Sequence, residues 1–222
     1  MPQIITEDMI EQAAMKALQG RHDYTVLNCM TEDPDTLPDG TGRTDKKQVV
    51  LPDVMFESLY RSNPDIPIEI VRSVVDDLCH TPVSGDLMLT NFHNYQKIRN
   101  GITVEYNQNG RKTSNILRLI AYDDAQKNSF IVASQMWIRG ETHWRRPDLI
   151  IFINGFPIVF IELKNSNIPV KNAYDINLKN YLKDIPYLFN YNQICVLSNG
   201  METRLGSFAA GYEFFFEWLK VE

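Results

Sequence analysis

Asp148, Glu162 and Lys164 are charged side chains that stand at the two ends of one apolar stretch, Arg145 to Asn165, which reads RRPDLIIFINGFPIVFIELKN. Two apolar runs flank Asn154-Gly155, the dipeptide favoured in tight hairpin turns. Folding there carries Asp148 and Glu162 to the same mouth. Charges at the end of buried apolar strands are costly unless they are paired or bound to a metal. Two carboxylates and a lysine in one place suit metal-assisted hydrolysis of a phosphodiester. A divalent cation activates a water, orients the attack and offsets negative charge in the transition state. Magnesium takes oxygen ligands and keeps several waters, so one or two protein carboxylates suffice. Asp148 and Glu162 are the candidate metal ligands, with the Leu163 carbonyl as a third. Lys164 shares a strand face with Glu162 and is the candidate catalytic lysine, placed to orient the attacking water. E-x-K alone is common. Pro147-Asp148 ahead of one apolar run, and a second such run ahead of Glu162, set this instance apart.

This chemistry makes a demand on strand register. A strict two-residue turn pairs Ile153 with Phe156 and, counted back, sets Asp148 opposite Ile161, with Glu162 on the other face. A three-residue loop, Asn154-Gly155-Phe156, or a bulge, brings Asp148 opposite Glu162. The sequence therefore predicts an odd-length loop or a bulge.

The elements that must hold this hairpin are readable around it. An apolar stripe at Ile10, Ala13, Ala14, Ala17 and Leu18 predicts a helix from Thr6 or Asp8 to Gln19, with Asp8 and Glu11 as a capping box and Gly20 as its stop. A strand is expected at Tyr24–Met30, followed by a Pro-, Asp- and Gly-rich surface loop at Thr31–Asp45. Residues 49–99 read as helical, with helices at Val54–Arg61, Ile68–Cys79 and Gly85–Ile98. Strands are expected at Gly101–Tyr106, Lys112–Ala121 and Phe130–Arg139, then the central hairpin, a helix at Lys171–Leu182, and strands at Gln193–Leu197 and Arg204–Ala209. Tyr212–Lys220 is aromatic-rich and ambiguous. This order predicts an α/β fold with a mixed central sheet flanked by helices and a helical N-terminal insertion at 49–99, all within one domain spanning 1–222.

Composition is that of an ordinary globular chain: 222 residues, 44% hydrophobic and 23% charged. No apolar run is long enough to span a membrane and no signal segment is evident at the start, so a cytoplasmic location is expected. Cys29, Cys79 and Cys195 are far apart and read as reduced. The net charge of −6 argues weakly against nucleic acid, but a nuclease needs only a local basic rim. Arg139, Arg145, Arg146, Lys164 and Lys171 supply one. Arg145, Arg146 and Lys171 are the candidate phosphate contacts, which would position DNA without reading its sequence. The four histidines lack metal-ligand spacing, and no G-x-x-x-x-G-K-[ST] is present.

Pro147-Asp148 followed by Glu162-Leu163-Lys164 resembles the PD-(D/E)XK nuclease motif. The longer string is similar to the N-terminal endonuclease domain of the restriction (R, HsdR-type) subunit of type I restriction–modification enzymes. Asn128 to Gln135, Ile185 to Gln193 and Ser198-Asn199-Gly200 resemble the same family. The resemblance implies a restriction-endonuclease-like fold, with Asp148 and Glu162 as metal ligands and Lys164 as catalytic lysine. It also implies magnesium-dependent cleavage of double-stranded DNA, with modification and specificity subunits as partners. The family's Q-x-x-x-Y motif, implicated in DNA cleavage, corresponds to Asn177 and Tyr181, with asparagine in place of glutamine, so the resemblance makes both candidate catalytic residues. An acidic residue on the first helix supports such sites in related folds, which makes Glu7 and Glu11 candidates. ATP would act only through motor lobes outside these residues. Two rival readings are a repair- or phage-type exonuclease with the same three residues, and a non-cleaving DNA-binding or assembly module.

Overall fold

The computed structural model describes residues 4–80 and 85–218; the end of the Tyr212–Lys220 segment lies outside them. Its centre is a seven-stranded mixed sheet. In chain order the elements begin with helix α1 (Glu7–His22) and strand β1 (Thr25–Asn28), then helices α2 (Pro52–Ser62), α3 (Ile68–Cys79) and α4 (Leu87–Asn100). There follow β2 (Ile102–Gln108), β3 (Arg111–Leu117), β4 (Phe130–Ser134), β5 (Ile138–Arg139), β6 (Trp144–Arg145), β7 (Leu149–Ile153) and β8 (Phe156–Leu163). Helix α5 (Lys179–Asp184), β9 (Ile194–Ser198), β10 (Thr203–Gly206) and β11 (Phe216–Glu217) complete the chain. The sheet order is β1-β4-β7-β8-β9-β10-β11. The β1–β4 and β8–β9 pairs are parallel and the others antiparallel, so the expected mixed sheet is present.

The sheet buries both faces. Ile150, Phe152 and Phe160 pack with Tyr181, Leu178 and Ile185 on the α5 side, whereas Leu149, Ile151 and Leu163 pack with Met15 of α1 on the other. Even-numbered residues of β7 and β8 near the mouth thus face α5, and odd-numbered ones face α1. The helical segment is tied to the hairpin tip: Met55, Leu59, Val71 and Val75 share a core with Phe156 and Ile158.

The Asn154-Gly155 turn has two residues, not three. Asn154 and Gly155 take φ values of 51° and 83°, the left-handed pair that a tight hairpin turn requires. Ile153 faces Phe156 and Phe152 faces Pro157, but Ile151 then faces Val159. Ile158 is the extra residue of a bulge. Pro157 cannot donate to a ladder, which favours a bulge at this point. The Ile158 carbonyl instead accepts from the Gln193 N–H at 2.8 Å and the Asn192 side chain at 3.2 Å. Leu149 consequently faces Ile161, and one step further out Asp148 meets Glu162.

Other expectations are corrected. Thr6 is the N-cap of α1, accepting from Met9 N–H, so Asp8 and Glu11 form no capping box; the helix runs through Gly20 and ends at Asp23, φ 55°. The strand expected at Phe130–Arg139 stops at Ser134, because Gln135 turns the chain at φ 54°. The segment Thr31–Asp45 is not simply a surface loop. Asp39 is buried with Arg43 and Lys46, its carboxylate accepting from Lys46 Nζ at 2.7 Å, from Arg43 Nη2 and from the Thr41 hydroxyl. Arg43 also donates to the Gln48 and Trp137 carbonyls at 2.9 and 3.1 Å, fastening the segment to the strand region beside β5. Burial pushes the Asp39 carboxyl up, but Lys46, Thr41 and Arg43 outweigh it and hold it at about 2. In the aromatic C-terminal stretch Phe215 is buried, while Phe214, Phe216 and Trp218 are exposed.

Candidate active site

The bulge sets Asp148 and Glu162 on the same face, toward α5. Asp148 Oδ2 accepts from the Leu163 N–H at 2.7 Å across the mouth of the hairpin. Glu162 is only 2% exposed. Its Oε1 accepts from Lys164 Nζ at 3.2 Å, and the same ammonium donates to the Leu163 carbonyl at 2.6 Å. Glu162 Oε2 is buried and, among the described residues, accepts no hydrogen bond of good geometry; the Tyr181 phenol beside it donates to the Arg146 carbonyl. Two carboxylates therefore share one lysine, and one of their oxygens has no donor.

The electrostatics follow from that count. Burial, then the Asp148 charge, pushes the Glu162 carboxyl up to about 8, against the pull of Lys164 and Tyr181. Burial likewise raises Asp148, although the Leu163 N–H and Lys164 oppose it. The Tyr181 phenol is raised well above its usual range by burial and by the Glu162 and Asp148 charges, which keeps it protonated. Its ring packs edge-on to Phe160 with centroids 5.3 Å apart, and its hydroxyl donates to the Arg146 carbonyl at 3.1 Å. Asn177 lies beside it and its side chain interacts with the phenol. Both residues sit on one helical stretch, where a π-turn at Ala173–Leu178 runs into α5. The wider turn shifts the phase of the helix at Asn177 relative to Tyr181, a distortion common near functional residues.

The acidic first helix reaches the site at two points. Glu7 Oε1 is 3.7 Å from Lys164 Nζ, and Glu11, 7% exposed, bonds the side chain of Gln135. The start of α1 is held there by Asn165 and Ser166, which accept from Glu7 N–H at 2.9 Å and Ile5 N–H at 3.0 Å. The basic residues are disposed differently. Arg145 is ion-paired with the buried Asp184 of α5, through Nε at 2.7 Å and through Nη2. Lys171 pairs with Asp175 at 3.1 Å on the exposed surface. The Arg146 guanidinium lies over the Trp137 ring at 4.8 Å.

The donors present fit a hard divalent cation. Among the described residues no group of three or more His, Cys, Asp or Glu is arranged for a metal. A cation here would rest on Asp148, Glu162, the Leu163 carbonyl and water, a set magnesium accepts. The buried Glu162 Oε2, which accepts no hydrogen bond of good geometry among the described residues, favours such an ion, since a buried carboxylate oxygen left without a partner is costly. Sequence reasoning missed Gln135 and the Asp184 partner of Arg145. Gln135 had one signal, its place where strand alternation breaks; Asp184 had none, because its partner lies 39 residues away.

The chain matches the family described as type I restriction enzyme R protein N terminus over residues 4–214. It is 34% identical over 186 residues to the type I restriction enzyme HindI endonuclease subunit of Haemophilus influenzae, a match covering 81% of this chain and 17% of that protein. It is 32% identical over 190 residues to the putative type I restriction enzyme MjaIXP endonuclease subunit of Methanocaldococcus jannaschii, covering 83% and 18%. A third relative, the SauCOLORF180P endonuclease subunit of Staphylococcus aureus, is 40% identical over 79 residues, 35% of this chain and 8% of that protein. The chain thus spans under a fifth of the length of these relatives. No helix among the described residues is long and apolar enough to cross a membrane.

Proposed function

Because this chain belongs to the family of type I restriction enzyme R protein N termini, we propose that it is the magnesium-dependent nuclease domain of such a subunit. It would hydrolyse phosphodiester bonds of double-stranded DNA through a PD-(D/E)XK site. The observation that carries this reading is the buried Glu162 beside the half-buried Asp148, two carboxylates with Lys164 as the ammonium bonded to Glu162. Asp148, Glu162 and the Leu163 carbonyl would hold the ion, which supplies a Lewis acid and an activated water. Lys164 donates from its ammonium group at the mouth, where it can orient the nucleophile and offset charge on the scissile phosphate. Tyr181, with Asn177 beside it, keeps Glu162 shielded from bulk water and fixes the Arg146 carbonyl. Arg146 and Lys171 would supply phosphate contacts, with Arg145 held through its ion pair with Asp184. The whole of 1–222 acts as one domain, in the cytoplasm, with modification and specificity subunits as partners and ATP used by segments outside this chain.

The test is cleavage of covalently closed double-stranded DNA with magnesium, by the chain within its assembled complex. We expect Lys164→Ala to lower the cleavage rate by about 10²–10³-fold with unchanged melting and unchanged ATP hydrolysis. Retained cleavage removes Lys164 from the mechanism. Digestion of linear DNA with closed circles spared would assign an exonuclease, and DNA bound but never cut by the assembly would assign a binding module.

A further inference from the structure

Gln135 holds a position that its backbone role does not explain. It ends β4 in the left-handed region, φ 54°, where glycine or asparagine is the usual occupant. Its N–H donates to the Asp148 carbonyl at 3.0 Å. Its side-chain Nε2 lies between two carboxylates, making a short hydrogen bond to Glu11 Oε2 and standing 3.4 Å from Asp148 Oδ1. A carboxamide nitrogen carries two protons, and here each one faces an acid. Asp148 Oδ2 is already held by the Leu163 N–H, so the two oxygens of Asp148 are addressed from opposite sides, by β8 and by Gln135. Glu11 is buried on α1 and supplies the fixed acceptor that keeps the amide aimed. A neutral donor suits this place: a lysine would cancel the negative charge meant for a cation, and a third carboxylate would repel both neighbours.

We propose that Gln135 is a positioning residue. Its carboxamide, anchored on Glu11, orients the Asp148 carboxylate for cation binding. This rests on the reading of Asp148 as a metal ligand. Loss of an outer partner of a ligating carboxylate typically weakens metal affinity by about 10–100-fold.

The test substitutes Gln135→Asn in the full chain. Asparagine suits the left-handed backbone but retracts the amide by one methylene, which separates the turn from the hydrogen bonds. Mn²⁺ is titrated and followed by electron paramagnetic resonance, with thermal melting alongside. The expected result is wild-type melting with Mn²⁺ affinity weakened about 10–100-fold. In cleavage assays the metal concentration for half-maximal rate rises more than the maximal rate falls. Glu11→Ala leaves the end of β4 untouched; it should weaken Mn²⁺ binding less than Gln135→Asn, and the two effects should not add. Wild-type affinity in a folded Gln135→Asn protein overturns the proposal. If that variant does not fold, wild-type affinity in Glu11→Ala overturns it instead. Asp148→Ala in the same series separates the two readings. If it binds Mn²⁺ as the wild type does, Asp148 is no ligand. If it loses binding while Gln135→Asn keeps it, only the positioning role falls.

Discussion

Around Asp39, one carboxylate faces two cations and a hydroxyl; around Glu162, two carboxylates face one cation, and one oxygen has no donor. Both central carboxylates are buried, Glu162 more deeply than Asp39, and burial opposes ionisation at each; the donors around Asp39 overcome it and those around Glu162 do not. Asp39 is held at about 2 and Glu162 is pushed to about 8. A cluster that answers its own charge needs nothing more and serves to fasten a segment. In the proposed reading, the cluster short of positive charge is completed by a bound cation. The contrast sets an ion network that fastens a segment against the one proposed to bind a cation.

The largest effect that would break this comparison is at the balanced site. Asp39→Ala leaves Arg43 and Lys46 buried without their partner and should destabilise the fold by about 3–5 kcal/mol, read by denaturant unfolding. A loss below about 1 kcal/mol would mean that the cations find water or other acceptors. At the unbalanced site the sign reverses. Glu162→Gln removes a buried charge that the fold does not satisfy. In the absence of divalent cation it should stabilise the chain by on the order of 2 kcal/mol above pH 8, while abolishing cleavage. Destabilisation instead would show that the ionised carboxylate is well solvated.

The pH dependence sharpens the same contrast. Glu162 has a raised carboxyl, so between its ordinary value of 4.5 and about 8 the folded state binds more protons than the unfolded one. Its contribution is full below 4.5 and is lost as pH rises through about 8. Asp148 and Glu11, also raised, act in the same direction. Asp39 is lowered: its contribution is present above 3.8 and is lost as pH falls through about 2. Metal-free melting curves should therefore slope downward on the neutral side, flattening in Glu162→Gln. On the acid side the smaller slope should flatten in Asp39→Asn.

Much of this architecture was legible from local pattern. Helix α3 begins and ends where the sequence predicts, because Val71, Val74, Val75 and Leu78 form an unbroken buried stripe. The central hairpin was visible in Asn154-Gly155, and the need for an odd-length loop or a bulge followed from requiring Asp148 and Glu162 on one face; the turn has two residues and the bulge is the one present. Its site was not legible. Ile158 bulges because Pro157 cannot donate and because Gln193 and Asn192, far along the chain, take up its carbonyl. The Asp39 cluster was hidden for the same reason. A Pro-, Asp- and Gly-rich segment has the composition of a surface loop, and contacts far along the chain, such as Arg43 to the Trp137 carbonyl 94 residues away, reveal what holds it down. Gln135 carried only a break in strand alternation, which does not by itself distinguish a site residue from the end of a strand.

The hairpin tip has a further consequence. Gly155 lies so close to α2 that a Cβ there would stand 2.6 Å from the Leu51 carbonyl oxygen, and its own carbonyl accepts from the Leu51 N–H at 2.9 Å. Asn154 is fully enclosed, clasping the Leu119 carbonyl and the Asn128 side chain. The strands run roughly 20 Å from there to the carboxylates. Pruning the helices at 52–100 to obtain a miniature enzyme would release that grip and free β8 to slip by one residue, turning its inward side chains outward. A smaller version of this scaffold has to keep α2, or replace its hold on the turn.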